Sequence, residues 1–119
     1  MHGHVEVGYP QQITVSDLAE QRRNNEKIYL LDVREAWEVA VCAIPGASHV
    51  AMNEIPHRLA ELPHDRPLVV FCHHGLRSAQ IVAWLRAQGL SNAVNLTGGI
   101  DAWAREVDPN LPTYPTFPR

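Results

Sequence analysis

The sequence contains few cysteines, no long apolar run and no excess of positive charge, and each deficit excludes a class of protein. Only Cys42 and Cys72 occur among 119 residues, so a disulfide framework is neither required nor implied. No apolar run approaches the roughly 18 residues of a membrane-spanning helix. A formal charge of -3 provides no basic surface for nucleic acid. We therefore expect neither a membrane nor a nucleic-acid partner.

What is present is the composition of one ordinary soluble domain. A chain of 119 residues with 45% hydrophobic residues is long enough for one apolar core and too short for two. The first ten residues lack the basic and apolar regions of a signal peptide, so we expect a cytoplasmic protein whose thiols stay reduced. We divide the chain into a flexible leader at 1–10, a domain at 11–108 and a proline-rich tail at 109–119.

Strand-like and helix-like segments alternate along the domain. Short apolar runs predict strands at 28–32, 48–51, 68–71 and 93–96. Helices are predicted at 17–23, where Ser16 is the expected cap, and at 34–41, 53–62, 78–88 and 100–107. This alternation predicts an α/β fold with a mostly parallel sheet, and the carboxyl ends of its strands should form the active edge.

One segment places a cysteine, a glycine and an arginine between a strand-like run and a helix-like run. Cys72 follows the run that ends at Phe71, and the next helix is predicted to start at Ser78. Main-chain N–H groups of such a loop and helix start can turn toward the sulfur, while Gly75 lets the backbone approach it. Because free cysteine titrates near about 8.5, a nucleophilic cysteine needs this kind of positive environment. We therefore expect Cys72 to be an anionic nucleophile that is open to solvent.

Four short stretches, taken together, resemble the rhodanese family of sulfurtransferases. They are Asp-Val-Arg-Glu at 32–35, Ile-Pro-Gly-Ala at 44–47, the loop at 72–78, and Leu-Thr-Gly-Gly-Ile at 96–100 with Ala-Trp at 102–103. The resemblance spans about residues 12–112. It implies a five-stranded, mostly parallel sheet with helices on both faces, and it places the family's loop cysteine at Cys72. One departure is Cys42-Ala43, which stands where relatives commonly have Gly-His.

The resemblance also implies an activity, that of a thiosulfate sulfurtransferase. Cys72 would take a sulfur atom from a small anionic donor such as thiosulfate, and a thiol or cyanide would then remove it from the Cys72 persulfide. A protein persulfide can serve as donor or acceptor in the same chemistry, and neither a metal nor an organic cofactor is required. Arg77, and His73 or His74 when protonated, would attract the anion. The residues expected to bind the substrate follow the cysteine directly: His73, His74, Gly75, Leu76, Arg77 and Ser78.

Two other functions remain open. A cysteine phosphatase also uses a thiolate beside an arginine, but four residues separate Cys72 from Arg77, whereas the phosphatase signature has five. The shorter loop suits a single sulfur atom better than a tetrahedral phosphoryl group. The second alternative is a non-catalytic or regulatory interaction module in which the cysteine is little used. We favour sulfur transfer.

Asp32, Arg34 and Cys42 each have a functional and a structural interpretation. Asp32 and Arg34 close a strand at the predicted active edge, where Arg34 could guide an anion, but we favour an ion pair that fixes the loop. Cys42 could resolve an oxidised Cys72 as a disulfide, although a small core or turn residue is the favoured interpretation.

Two features invite a cofactor hypothesis that we do not favour. His73 and His74 are the best metal candidates, but adjacent residues rarely direct both rings at one ion, and no C-x2-C or H-x3-H pair accompanies them. Gly98-Gly99 lacks the surrounding pattern of a phosphate-binding loop, so a tight turn from strand to helix is the better interpretation.

The tail carries two interleaved patterns with a period of three. Its prolines could present a polyproline II ligand to an SH3-type partner. Its apolar residues could instead lay the tail over the domain's own surface, which is the interpretation we favour. The prolines are Pro109, Pro112, Pro115 and Pro118, and the apolar residues are Leu111, Tyr114 and Phe117.

Overall fold

A computed structural model describes residues 8–115; residues 1–7 of the predicted leader and 116–119 of the tail, including Phe117 and Pro118, lie outside the described residues. The strands are β1 (Gln12–Ile13), β2 (Tyr29–Asp32), β3 (Ser48–His49), β4 (Leu68–Phe71) and β5 (Ala93–Leu96). They form one sheet in the order β1-β5-β4-β2-β3. Every described pair is parallel, which confirms the α/β fold.

Helices occupy most of the connections between the strands. They are α1 (Val15–Arg23), α2 (Ala36–Val41), a kinked 3₁₀ segment (Met52–Glu61), α3 (Leu76–Ala87) and α4 (Gly99–Glu106). Thr14 rather than Ser16 caps α1, because Thr14 and Asp17 exchange side-chain hydrogen bonds with each other's main-chain N–H groups. Within the described part of the chain, no helix combines the length and apolarity needed to cross a bilayer.

Alternate residues of the central strand β4 point to two separate apolar cores. Val69 and Phe71 pack in a core that includes residues of α1 and α4. Leu68 and Val70 pack in a second core with residues of α3 and the 3₁₀ segment. Helices therefore cover both faces of the sheet, as expected, and Cys72 belongs to the second core.

The carboxyl ends of the strands bring distant parts of the sequence to one edge. β4 pairs with β2 on one side and with β5 on the other. Asp32, the last residue of β2, is the register partner of Phe71, the last residue of β4. Asp32 leads into the turn before α2, Phe71 leads into the Cys72 loop, and Leu96 leads into the glycine pair before α4. This edge is where the candidate site is built.

Candidate active site

Cys72 lies between the end of β4 and the start of α3, and two main-chain amides point at its sulfur. The N–H of Gly75 lies 3.2 Å from Sγ and the N–H of Ser78 lies 3.3 Å from it. Gly75 adopts a left-handed conformation with φ of 93° and precedes a helix that begins at Leu76, two residues earlier than predicted. The Gly75 amide thus lies at the N-cap of α3 and the Ser78 amide in its first turn, where free N–H groups and the helix dipole favour negative charge.

Ser78 and Asn95 support this loop, although the Ser78 hydroxyl does not act as a donor to the sulfur. Asn95 Nδ2 donates to the Gly75 carbonyl at 3.2 Å, which fixes the orientation of the Asn95 amide. The Ser78 hydroxyl then donates its single proton to Asn95 Oδ1 at 2.6 Å, and its contact with Cys72 Sγ at 3.4 Å leaves an oxygen that can accept from a neutral thiol. Stabilisation of anionic sulfur therefore falls to the main-chain amides.

The glycine pair Gly98-Gly99 at the start of α4 lies directly against the Cys72 loop. The N–H of Ile100 donates to the Cys72 carbonyl at 2.9 Å, and the N–H of Asp101 donates to the His73 carbonyl at 3.0 Å. A Cβ atom at Gly99 would collide with both carbonyl groups, and its φ of 61° also favours glycine. Gly98-Gly99 is thus a tight turn, as predicted, and it fixes the loop from the opposite side to α3.

Arg77 forms a two-pronged ion pair with Glu38 of α2. Its Nη1 and Nη2 atoms lie 2.8 and 2.7 Å from the two carboxylate oxygens. Glu38 also accepts hydrogen bonds from the Glu35 N–H and the Tyr114 hydroxyl. Burial alone would raise the pKa of Glu38, but the bonds from Arg77, Glu35 and Tyr114 lower it to about 2. Arg77 was expected to attract an anionic substrate, and here its charge is balanced by a carboxylate that sequence reasoning missed.

Arg34 is fully buried and uses all five of its N–H donors inside the protein. It contacts both oxygens of Asp32 at 2.9 and 2.6 Å. Its remaining donors reach the carbonyls of Glu38 and Cys42 and the hydroxyl of Tyr114. Burial alone would lower the pKa of Arg34, but these partners raise it, so the group stays charged. The geometry agrees with the structural role favoured for Asp32 and Arg34, and it leaves Arg34 no donor for a substrate.

Tyr114 brings the tail back to the site. Its ring stacks on His73 with centroids 3.9 Å apart and an interplanar angle of 9°. Its hydroxyl donates to Glu38 at 2.8 Å and accepts from Arg34 at 3.0 Å. Tyr114 is buried and Leu111 packs against the same core, as a self-docking tail predicts. Nothing in the sequence pattern indicated that Tyr114 would reach the Cys72 loop.

The remaining loop side chains differ in their surroundings. Burial and the neighbouring His74 lower the pKa of His73, so this ring is neutral at neutral pH and does not supply the positive charge that was expected. His74 is half exposed, with Nδ1 3.9 Å from a carboxylate oxygen of Asp101. Leu76 is 77% exposed, so its side chain is open to a partner or substrate.

A potential metal-binding group does occur at this point. Ligand atoms of His73, His74 and Asp101 lie within 4.8 Å of one another. Zinc–nitrogen bonds are about 2.0–2.1 Å long, so two atoms bound to one ion lie at most about 4.2 Å apart. Asp101 already accepts a hydrogen bond from Arg105 at 2.8 Å. The expectation that no metal is needed stays a prediction.

Access to the sulfur is the point on which the structure differs from our expectation. Cys72 is only 1% exposed, whereas a nucleophile open to solvent was predicted. The physical reason is that α3, the Gly98-Gly99 turn and the second core all enclose the loop. Any reaction of Cys72 therefore requires a local movement of its surroundings.

Cys42 lies on the other side of the sheet from Cys72. It packs in the core with α1 and α4, while Cys72 packs in the core with α3. Both thiols are free. Burial raises the pKa of Cys42, which makes this thiol a poor nucleophile. This placement agrees with Cys42 as a core residue rather than a partner of Cys72.

Comparisons with known proteins agree with this architecture. The profile of the Rhodanese-like domain matches residues 14–106. A protein of Allochromatium vinosum named sulfurtransferase is 40% identical over 94 residues, which cover 79% of this chain and 88% of that protein. The crystal structure of a rhodanese-like domain protein from Staphylococcus aureus has a TM-score of 0.76 at 31% identity, covering 89% of this chain and 100% of that one. A solved protein of Staphylococcus saprophyticus has a TM-score of 0.74 at 36% identity, covering 87% and 99%. The family profile and relatives of similar length thus agree, and the chain belongs to the rhodanese-like domain family.

Proposed function

We propose that this protein is a sulfurtransferase that carries a sulfane sulfur on Cys72. The observation that carries the proposal is the pair of main-chain amides, from Gly75 and Ser78, aimed at Cys72 Sγ from the start of a twelve-residue helix. Such an arrangement favours a thiolate and also suits the anionic outer sulfur of a persulfide. The relative named sulfurtransferase supports the same reaction class.

The reaction consists of two half-reactions. In the first, the Cys72 thiolate attacks the outer sulfur of a donor such as thiosulfate; a new S–S bond forms, the old one breaks, and sulfite leaves with the electron pair. In the second, a thiol or cyanide attacks the outer sulfur of the Cys72 persulfide and the thiolate returns. The Gly75 and Ser78 amides stabilise negative sulfur in both states. Because a working thiolate must not be oxidised, we place this chemistry in a reducing cytoplasm.

The burial of Cys72 makes loop movement part of this proposal. Leu76 and His74 are exposed on the loop, whereas Arg77 is bound to Glu38. Breaking the Arg77–Glu38 contact would free the first turn of α3 on the side of α2. A small donor could then reach the sulfur without disturbing the strands.

Intact-protein mass spectrometry after treatment with thiosulfate tests the proposed reaction. We expect a gain of one sulfur atom that is lost on adding cyanide or dithiothreitol. Cys72→Ser should show no gain, whereas Cys42→Ser should behave like the wild type, because Cys42 lies on the opposite face of the sheet. A sulfur adduct that persists in Cys72→Ser would contradict the assignment of the carrier.

A regulatory interaction module is the second candidate, and the 1% exposure of Cys72 is the observation that favours it. The two functions differ in the rate at which Cys72 reacts with iodoacetamide at neutral pH. A carrier should be alkylated much faster than Cys42, whereas a module whose cysteine is unused should show two similarly slow thiols. Hydrolysis of a phosphate ester without sulfur loading would instead favour a phosphatase.

A further inference from the structure

An apolar cleft opens beside the Cys72 loop, next to α3 and the 3₁₀ segment. Its volume is about 730 Å³, which is within the range of about 300–1,000 Å³ typical of small-molecule pockets. Arg77 is one of the residues that line it. The apolar residues that form its walls include Val33, Met52, Ile55, Ile81 and Trp84.

The cleft and the sulfur have neighbouring residues in common. Val33, Ile55 and Ile81 line the cleft and also belong to the packed core that contains Cys72. Arg77 lines it as well, and the next residue in the chain, Ser78, donates its main-chain N–H to Cys72 Sγ. A molecule bound in the cleft therefore lies next to the loop that holds the sulfur.

The charges around the loop do not favour a small dianion as the preferred donor. Arg77 is paired with both oxygens of an ionised Glu38, and Arg34 directs all five donors to protein oxygens. His73 is buried and neutral. Thiosulfate has two negative charges and no apolar part, so it gains little from an apolar cleft beside a neutralised ion pair.

We infer that the preferred sulfur donor is an organic persulfide whose uncharged, apolar substituent occupies this cleft and whose sulfur end passes Arg77 to reach Cys72. The inference deepens the proposed function and rests on it. The Cys72 thiolate attacks the outer sulfur of R–S–SH, the S–S bond of the donor breaks, and the thiolate R–S⁻ leaves with the electron pair. The products are the Cys72 persulfide and a thiol, so no oxidant or reductant is needed.

The test compares two donors of equal intrinsic reactivity, methyl persulfide and hexyl persulfide, both generated in situ. Loading of Cys72 is followed by mass spectrometry in single-turnover experiments on the full chain. Because each buried methylene contributes about fourfold in affinity, we expect the second-order rate constant to be at least about tenfold higher for the hexyl donor. Trp84→Ala removes the largest wall residue and should bring this ratio close to one.

Two further variants keep the comparison interpretable. Met52→Ser makes a second, separate change in the wall and should also lower the ratio. Val41→Ser alters an exposed apolar residue at the end of α2 that does not line the cleft, and it should leave the ratio as in the wild type. Circular dichroism confirms that each variant is folded.

The possible failures are distinguishable. A ratio near one in the wild type, or a ratio unchanged in both wall variants, would overturn the inference while loading itself still supports sulfur transfer. A cleft that serves a protein donor or a second copy of the chain would give this result. If neither persulfide nor thiosulfate loads Cys72, the proposed function fails as well.

Discussion

At the residue scale, Glu38 shows how one carboxylate joins a helix, a loop and the tail. Its two oxygens accept from Arg77, the Glu35 N–H and the Tyr114 hydroxyl, and its side chain is 4% exposed. The sequence placed Glu38 in a short helix but gave no reason to connect it with residues 39 and 76 positions away. Its role depends on tertiary contacts that no local pattern encodes.

Replacing Glu38 with glutamine should destabilise the protein in a pH-dependent manner. Loss of charge-assisted bonds should lower the free energy of unfolding by about 2–3 kcal/mol at pH 7. Because the pKa of Glu38 is lowered from 4.5 to about 2, its contribution is complete above pH 4.5 and is lost as the pH falls through about 2. Urea unfolding of wild type and Glu38→Gln across this range measures the difference, which should shrink on acidification. A difference that stays constant would show that ionised Glu38 is not what stabilises the fold.

The glycine that supports the Cys72 loop should tolerate no side chain. Gly99→Ala would place a methyl group against the Cys72 and His73 carbonyls at a φ of 61°. We expect a loss of about 2 kcal/mol or more in stability together with slower sulfur loading. Gly89→Ala is the matched control, because Gly89 also has a left-handed φ, of 99°, but faces open space. Gly89→Ala should lower the free energy of unfolding by about 1 kcal/mol without slowing the sulfur loading of Cys72. Equal rates of sulfur loading in both variants would show that Gly99 does not support the Cys72 site.

At the scale of elements, the tail stabilises the domain through contacts with residues that are far away in the sequence. Tyr114 contacts His73, Arg34 and Glu38, while its neighbours Thr113 and Pro115 are exposed. Within the part of the tail that the structure describes, Tyr114 and Leu111 are the apolar side chains that pack against the domain.

Removing the Tyr114 hydroxyl should therefore weaken the fold measurably. Tyr114→Phe leaves a buried Arg34 donor and a Glu38 acceptor without this partner, and it should cost about 1–3 kcal/mol in urea unfolding. Deleting the residues after Asp108 should cost at least as much. Thr113→Ala, a change at the exposed neighbour, should stay within about 0.5 kcal/mol of wild type. Unchanged stability after the deletion would argue against a structural role for the tail.

The helices and strands were predictable where apolar pattern and turn residues agree. The bounds of β4 and β5 are those predicted, because continuous apolar runs are typical of strands buried on both faces. β1 has only two residues and gave no such pattern, so it was not predicted, and only the family resemblance implied a fifth strand. α3 begins two residues early because Gly75 supplies a left-handed start, which makes Arg77 part of the helix. The 3₁₀ form of Met52–Glu61 was not predicted, since an apolar face alone does not distinguish it from an α-helix.

At the scale of the whole molecule, the sheet separates the two cysteines. Cys42 and Cys72 pack in cores on opposite faces, so their side chains cannot reach the geometry of a disulfide while the sheet is intact. Treatment with diamide should leave the folded protein without an internal disulfide, whereas the same treatment in urea should produce one. Non-reducing mass spectrometry measures the loss of two hydrogen atoms. A link that forms in the native state at a comparable rate would contradict this arrangement.

The site as a whole was only partly predictable from the sequence. Cys72, Gly75 and Ser78 were predicted to lie together because they belong to one short segment, and a short segment between a strand and a helix has few ways to fold. Asn95 offered a weak signal, a polar residue inside a buried strand. Glu38 and Tyr114 could not be found, because their roles arise from chain crossings that bring α2 and the tail to the same loop.

The Cys72 loop contacts the sulfur through main-chain N–H groups and not through its exposed side chains, and this affects how the protein can diversify. The groups that donate to Cys72 Sγ from Gly75 and Ser78 are peptide N–H groups, which every non-proline amino acid possesses. The exposed side chains of His74 and Leu76 take no part in that task. If the proposed function holds, evolution can therefore exchange those two side chains, and with them the molecules that the loop recognises, while the reactive centre is inherited intact.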